Sequence, residues 1–184
     1  PSAVVRLTFE HAAYGTVKLN WYDGGLMPER PALLPKDDMP GNWDGGSVFY
    51  GSKGILVTDT YSRNPRIYME DGSQPSLPNK TLIRVAGDTE GHIANFVDGI
   101  LGKVETSSPF SSSGPLTEAV LMGNLAIKAY QEKHLKPGKK TTDWARYEYP
   151  GRTRLNWDGA NMKITNYEPA NRWVGKDYRE GWNI

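Results

Sequence analysis

AVVRLTFE (residues 3–10) and TVKLNWY (residues 16–22) are the stretches that decide the fold, because both alternate apolar and polar side chains. An alternation with a period of two is typical of a β-strand that is buried on one face. Only residues 11–15 connect the two stretches, and Gly15 is suited to a turn. We therefore predict an antiparallel pair of strands at the start of the chain.

A second hairpin is predicted by SVFYGSKGILVT at residues 47–58, where two apolar runs flank Gly51 and Gly54. Glycine accommodates the positive φ that a tight turn between strands requires. Residues 65–70 add a short edge strand. The pattern indicates a sheet of antiparallel strands in the first half of the chain.

Two connections stand out in that half. Residues 26–46 contain four prolines and are predicted to form a long loop, a type of segment that is often functional. Residues 71–79 are predicted to form a second, turn-rich loop.

The first of two predicted helices follows the strands. Asp88 or Thr89 can cap its start, and Gly102 stands where a C-terminal glycine is expected. Its apolar residues recur with the spacing of a single helix face. That stripe consists of Ile93, Phe96, Val97, Ile100 and Leu101.

The second predicted helix begins at Pro115, because proline is favourable in a first helical turn. Its stripe consists of Leu116, Ala119, Val120, Gly123, Ala126, Ile127 and Tyr130. Glycine costs about 1 kcal/mol relative to alanine in a helix interior. We therefore expect Gly123 to pack closely against another backbone.

The order of elements predicts the fold class. Strands at residues 3–86 precede helices at residues 89–132, and a short strand (162–166) and a short helix (168–176) lie within the last part of the chain, 155–184. Strands followed by helices indicate an α+β fold, a mainly antiparallel open sheet with amphipathic helices packed on one face. We predict a single domain over residues 1–184.

Composition excludes several classes of partner. The chain of 184 residues has a formal net charge of +1 and no cysteine. This balance gives no reason to expect nucleic acid or an anionic membrane, and disulfides and cysteine metal sites are ruled out. No apolar run approaches the ~20 residues that span a bilayer. The basic run at residues 136–140 is predicted to be a solvated loop, and we expect Pro1 to be a boundary within a longer polypeptide.

Motifs for chemistry within the chain are weak. The glycines at residues 51–54 join two strands, whereas a dinucleotide loop joins a strand to a helix. The three histidines are scattered and the acidic residues do not cluster, so we expect no catalytic triad and no metal site. A pair of distant carboxylates for glycoside hydrolysis stays open as an alternative.

Two segments have the composition of a sugar-binding site. In the first, Trp21 and Tyr22 offer aromatic faces while Asp23 and Arg30 offer bidentate partners for vicinal hydroxyls. The alternative for this segment is that Trp21 lies in the core and Asp23 only turns the chain.

The second segment contains Trp157, Asp158 and Asn161, to which the same two alternatives apply. We predict these seven residues as substrate-binding candidates.

Three motifs carry a resemblance to a known family: NWYDGG at residues 20–25, GPLTEAVLMGN at residues 114–124 and the tail at residues 157–182. Together they resemble the C-terminal domain of Gfo/Idh/MocA family oxidoreductases, in a branch common in bacteria that process carbohydrates. The resemblance implies the fold of a glyceraldehyde-3-phosphate dehydrogenase-like C-terminal domain, which contributes a substrate pocket and a subunit interface. The segment 131–149 departs from the family pattern.

In the resembled enzymes an N-terminal Rossmann domain binds NAD or NADP, and a Glu-Lys-Pro segment supplies the catalytic lysine. Neither motif is present in residues 1–184, so no catalytic residue can be assigned and we expect this chain alone to bind no cofactor. The resemblance implies its own Rossmann domain and a second copy of the chain as partners, and a sugar or cyclitol as substrate. It implies a periplasmic location if a twin-arginine leader precedes the chain, and a cytoplasmic one otherwise.

Two other functions stay open, a free-standing carbohydrate-binding module and part of an NAD-dependent glycosidase. We also expect self-association through the sheet, because the strands carry apolar side chains on a face that the helices would leave in water. Those side chains are Val5, Leu7 and Phe9 or Val17, Leu19 and Trp21.

Overall fold

The computed structural model describes residues 2–77, 84–176 and 178–182. They form two compact units. The first consists of Pro1–Leu26 and Asn95–Ile184, and the second consists of Met27–Ala94.

The fold is a mixture of helices and antiparallel strands, which confirms the α+β class. The helices are α1 (Asp88–Ile100) and α2 (Phe110–Gln131), and the strands are β1 (Ala3–His11), β2 (Gly15–Asp23), β3 (Gly46–Tyr50), β4 (Gly54–Asp59), β5 (Arg66–Met69), β6 (His134–Leu135), β7 (Tyr147–Glu148), β8 (Trp157–Asp158) and β9 (Lys163–Ile164).

The strands group into small sheets. Within the described residues the sheets are β1–β2, β3–β4–β5, β6–β7 and β8–β9, all antiparallel, where the sequence pattern predicts one open sheet. Apart from an isolated bridge between Asn42 and Gly45, residues 26–45 form no strand, so a long connection separates β2 from β3. Part of the predicted loop at 71–79 and of the predicted sheet region lies at residues 78–83, outside the described residues.

Both predicted hairpins are confirmed. In β1–β2 the register pairs Val5 with Trp21 and Leu7 with Leu19, so the apolar residues of the two strands share one face. Gly15 has a φ of 66°, as the turn requires. In β3–β4 the amide of Gly51 donates to the carbonyl of Gly54 at 2.9 Å, which closes the turn.

Helix α2 packs on β1, but it begins earlier than the sequence predicts. It starts at Phe110, so Pro115 lies inside the helix instead of in its first turn. The ring of Phe110 meets that of Phe96 edge-on, with centroids 6.4 Å apart, a contact that a start at Pro115 would lose.

The close packing against a backbone that was expected at Gly123 is not found, because a Cβ there would make only an ordinary contact with a side chain. A Cβ built on Gly123 would lie 3.4 Å from a methyl carbon of Val5, so the neighbour is a side chain of β1 and not a backbone. The rest of the predicted α2 stripe does not pack as one face, since Leu116 and Val120 are exposed.

The apolar stripe of α1 is exposed as well, although the pattern predicts that it covers the sheet. The end of α1 follows the prediction, since Gly102 has a φ of 68° and its amide donates to the carbonyl of Gly99 at 3.0 Å. No described helix is long and apolar enough to cross a membrane.

A core in the first unit joins α2 to the end of the chain. Ala129, Ile164 and Ala170 are buried, and half-buried apolar side chains surround them. Ala170 belongs to a 3₁₀ helix at Glu168–Trp173, within the short helix predicted at 168–176. This core holds β9 and the 3₁₀ helix against the C-terminal half of α2.

The second unit has its own small core of Leu34, Ile55 and Val57. An ion-pair network lies beside it, in which Arg66 binds Asp38 at 2.9 Å and Asp59 at 3.0 Å. These contacts tie the proline-rich loop to the three-stranded sheet.

Candidate functional site

A cavity of about 410 Å³ lies in the first unit, between β1, α2 and the extended segment before β8. This volume is in the range of small-molecule sites. The cavity is lined by Arg6, Leu7, Thr8, Phe9, Met122, Leu125, Ala126, Thr153, Arg154, Leu155, Asn156, Trp157 and Ile164.

The cavity runs along an edge of β1. Residues 6–9 are consecutive, and consecutive residues of a strand point to opposite faces, so a cavity that all four line must follow the strand's edge. Among the described residues β1 pairs with β2 alone, which leaves its other edge unpaired. Such an edge presents backbone N–H and C=O groups that are available to a ligand.

Trp157 is fixed in the wall of this cavity by Glu118 of α2. The indole Nε1 of Trp157 donates to Oε1 of Glu118 at 2.6 Å, and the ring packs against the core of the unit. A Cβ on Gly159 would come within 3.0 Å of the same carboxylate oxygen, so glycine leaves the room for this bond. The indole face is therefore held rigidly.

Asn166 positions the segment that leads into Trp157 and also lines the cavity. Its Oδ1 accepts from the amide of Asn156 at 2.7 Å, and its Nδ2 donates to the carbonyl of Arg154 at 2.7 Å. One amide side chain thus satisfies both backbone groups, as a neighbouring strand would.

Asn171 performs the same task for Ile164 at the base of the cavity. Its Oδ1 accepts from the Ile164 amide at 2.7 Å, and its Nδ2 donates to the Ile164 carbonyl at 2.9 Å. Nδ2 also donates to the carboxylate of Glu168 at 2.9 Å. Ile164 is only 3% exposed, so these bonds satisfy buried polar groups.

The electrostatics of the cavity are positive. Arg6 and Arg154 line it, and among the described residues neither guanidinium lies within ion-pair distance of a carboxylate. Thr8 and Asn156 add neutral polar groups beside an apolar floor. The arrangement suits a ligand with both apolar faces and several hydrogen-bonding groups.

A charged cluster lies directly after the end of α2. The carboxylate of Glu132, whose side chain is 7% exposed, receives bonds from His134 (3.1 Å), Arg172 (3.0 Å) and the hydroxyl of Tyr167 (3.0 Å). The bond with His134, followed by that with Tyr167, lowers the pKa of Glu132. Burial and the bond to Glu132 raise the pKa of Tyr167.

The structure separates the sequence-predicted residues. Trp157 lines the cavity. Trp21, Tyr22 and Asp23 lie at the end of β2 and do not line it; Trp21 is 62% exposed and therefore not a core residue. The carboxylate of Asp23 accepts from the amide of Gly24 at 2.7 Å, a contact that shapes the turn.

Arg30 belongs to the second unit, where its guanidinium binds backbone. Its Nη2 donates to the carbonyl of Asp38 at 2.9 Å and to that of Pro35. These bonds hold the proline-rich loop together. The guanidinium donors that we predicted would bind sugar hydroxyls are therefore used within the loop.

Asp158 and Asn161 form a local turn. The carboxylate of Asp158 accepts from the Asn161 side chain at 2.7 Å and from its backbone amide at 3.2 Å. These bonds lower the pKa of Asp158. The pair stabilises the connection between β8 and β9, next to Trp157.

The sequence did not single out Arg6 and Arg154, nor the two asparagine clamps, Asn166 and Asn171, whose side-chain amides bind backbone N–H and C=O groups. Arg6 looked like an ordinary polar residue of a half-buried strand, and Asn166 and Asn171 look like loop residues. The only available signal was the density of asparagine near the end of the chain. No three His, Asp or Glu side chains converge on a point within the part of the chain that the structure describes.

No protein-family model, curated protein or solved structure matches this chain. A function must therefore be inferred from the geometry of the cavity and from the sequence motifs.

Proposed function

We propose that this chain is the substrate-binding and subunit-contact domain of an NAD(P)-dependent oxidoreductase that acts on a sugar or cyclitol. The observation that carries the proposal is the cavity along β1, which combines an anchored indole, two arginines and an unpaired strand edge.

These groups suit a polyhydroxylated ring. A sugar has an apolar C–H face, which packs on an aromatic ring, and hydroxyls that both donate and accept hydrogen bonds. The edge of β1 offers backbone donors and acceptors, and the guanidinium groups of Arg6 and Arg154 offer further donors.

The proposal places NAD or NADP on a separate Rossmann domain, and the finer fold is that of a glyceraldehyde-3-phosphate dehydrogenase-like C-terminal domain. The described helices do not fit a dinucleotide. Helix α1 has Asp88 and Glu90 in its first turn, where their negative charges repel a pyrophosphate. Helix α2 follows Pro109 and not a glycine turn after a strand.

The contact with a second subunit is assigned to the apolar face of β1–β2. Helix α2 packs on the β1 side of this face, while Val17, Leu19 and Trp21 on β2 are 41%, 43% and 62% exposed. An apolar row of this kind favours pairing with a second copy. A periplasmic location, given a twin-arginine leader, and a cytoplasmic one fit the proposal equally.

Calorimetry of the chain with neutral sugars and cyclitols tests the ligand. We expect saturable binding to at least one of them, weakened at least five-fold by Arg6→Ala. Arg63→Ala, a substitution of an exposed arginine in the second unit, is the matched control and should leave affinity unchanged. Absence of binding, or equal loss in both variants, would contradict the proposal.

Titration with NAD and NADP completes the test. We expect neither cofactor to bind this chain with a Kd below ~100 μM, about −5.5 kcal/mol. Tighter binding would show that the dinucleotide site lies within these residues. It would refute the proposal that a separate Rossmann domain binds the cofactor.

Sedimentation tests the subunit contact. We expect the chain to self-associate at tens of micromolar and Trp21→Lys to abolish the association. Trp43→Lys alters an exposed tryptophan of the second unit and should have no effect. A clean monomer of the unmodified chain would refute this part of the proposal.

A further inference from the structure

A basic loop at residues 136–146 lies outside the cavity and has properties that the proposed function does not use. It connects β6 to β7 and contains four cationic residues and one aspartate, a formal charge of +3 in a chain whose total is +1. The cationic residues are Lys136, Lys139, Lys140 and Arg146.

The loop is ordered by its own hydrogen bonds. The amide of Lys136 donates to the carbonyl of Arg146 at 2.8 Å and closes the base, and the amide of Lys139 donates to the carbonyl of Lys136 at 3.1 Å. The carboxylate of Asp143 accepts from the backbone amide of Lys140 at 2.9 Å. These bonds order the backbone that carries the cationic side chains.

The positive charge of the loop is not neutralised. Among the described residues, none of its four cationic side chains forms an ion pair. The only acidic residue of the loop, Asp143, is directed to the backbone of Lys140, where it shapes the turn.

Trp144 lies next to these charges and is 93% exposed. Its neighbour Ala145 has a φ of 51°, a left-handed conformation that a residue other than glycine adopts at a cost of roughly 1–3 kcal/mol. Strain of this kind clusters at functional sites, and an exposed indole offers a flat apolar face on which a sugar ring can stack.

Arg146 of the loop and two cations that flank it, Lys133 and Arg152, lie against aromatic rings. Lys133 and Arg146 lie 4.8 and 5.0 Å from the ring centre of Tyr147, and Arg152 lies 3.7 Å from that of Tyr149. These contacts restrict the cations before any ligand arrives, which lowers the entropic cost of binding.

We propose that the basic loop binds an anionic oligosaccharide, with Trp144 stacking on a pyranose ring and the lysines binding its carboxylate or sulfate groups. A single-stranded nucleic acid fits less well, because it needs several stacking platforms in succession. Here Trp144 is the one bare ring of the described loop, and the rings of Tyr147 and Tyr149 are already occupied by cations. The proposal does not depend on the oxidoreductase assignment.

Calorimetry with defined oligomers tests the proposal on the complete chain. The probes are a galacturonate oligomer, its fully methyl-esterified neutral form, a chondroitin sulfate oligomer and an oligothymidylate of the same charge. We expect binding to the galacturonate or the sulfated oligomer, or to both, and the pair reports whether carboxylate or sulfate is preferred. We expect at least ten-fold weaker binding of the neutral form and of the oligothymidylate, and weaker binding at high salt.

Variants locate the site. Trp144→Ala and the double variant Lys139→Ala/Lys140→Ala should each weaken binding at least five-fold, and both alter exposed side chains, so folding is retained. Trp43→Ala is the matched control, because Trp43 is 92% exposed in a segment that is not basic. Arg6→Ala should leave this binding unchanged, which separates the loop from the cavity.

Three results would overturn the proposal. They are the absence of binding to both anionic oligosaccharides, binding to the oligothymidylate as tight as to the sugars, and equal effects of Trp43→Ala and Trp144→Ala. Failure of the neutral sugars to bind the cavity would refute the proposed function alone.

Discussion

Replacement of Asn171 by leucine tests whether asparagine clamps hold the cavity. Leucine has a similar volume but neither accepts from the amide nor donates to the carbonyl of Ile164, bonds of 2.7 and 2.9 Å in the structure. Both groups belong to a residue that is 3% exposed, and each unpaired buried polar group costs about 1–3 kcal/mol. Partial access of water reduces the total, so we expect a loss of about 2–4 kcal/mol in the free energy of unfolding.

Urea unfolding followed by tryptophan fluorescence measures this loss. With an m-value of about 1–3 kcal/mol/M, the midpoint should fall by roughly 1–2 M. The control is Asn161→Ala, which removes the side-chain bond to Asp158 in an exposed turn, keeps the bond from the backbone amide, and should cost at most about 1 kcal/mol. A midpoint for Asn171→Leu equal to that of Asn161→Ala would refute the reasoning.

Asn171→Asp tests the donor and the acceptor of this side chain separately, because aspartate keeps the acceptor oxygen and loses the amide donor. Aspartate keeps an acceptor for the Ile164 amide but places a negative charge against the Ile164 carbonyl and the carboxylate of Glu168. This environment raises the pKa of the new carboxyl above its usual ~3.9. The variant should therefore keep its stability at a pH below the usual aspartate pKa. It should lose stability as the pH rises through the raised pKa of the folded state. A variant equally stable at acid and neutral pH would contradict the clamp.

Four further predictions concern stability. Gly123→Ala should stabilise the chain by up to about 1 kcal/mol in thermal unfolding, because it gains helix propensity and meets a valine methyl at ordinary contact distance. Gly151→Ala should unfold at a markedly lower temperature, because its Cβ would overlap a carbonyl oxygen of α2; equal midpoints for the two variants would show the packing to be wrong. The pKa of Glu132 is lowered, so its contribution is present above the usual glutamate pKa and disappears as the pH falls; acid unfolding of Glu132→Gln should be less steep. The pKa of Asp38 is lowered chiefly by a tyrosine hydroxyl of β5, so acid should likewise destabilise the second unit, and Asp38→Asn should remove that dependence in a pH series of hydrogen exchange.

The hairpins were predictable because their signals are local. Alternation fixes which residues of β1 and β2 share a face, and Gly15 supplies the conformation of the turn, so no distant contact is needed. The start of α2 was not predictable from Pro115, since the helix begins at Phe110, whose ring contacts Phe96, a residue of another helix.

The candidate site was predictable only in part. Trp157 was predicted because polar residues that suit a sugar follow it in the sequence, and the structure places it in the cavity wall. The roles of Asn166 and Asn171 depend on backbone groups seven or more residues away, and loop asparagines carry no sign of such partners in the sequence. Arg6 reaches the cavity because β1 has an unpaired edge, which no alternation pattern reveals.

The coding sequence immediately upstream of Pro1 tests the central claim most directly. If this chain is the substrate-binding domain of an NAD(P)-dependent oxidoreductase, the upstream sequence encodes a strand, a Gly-x-Gly-x-x-Gly turn and a helix, followed by a Glu-Lys-Pro segment. An upstream sequence with neither motif would contradict the account and favour a free-standing carbohydrate-binding protein.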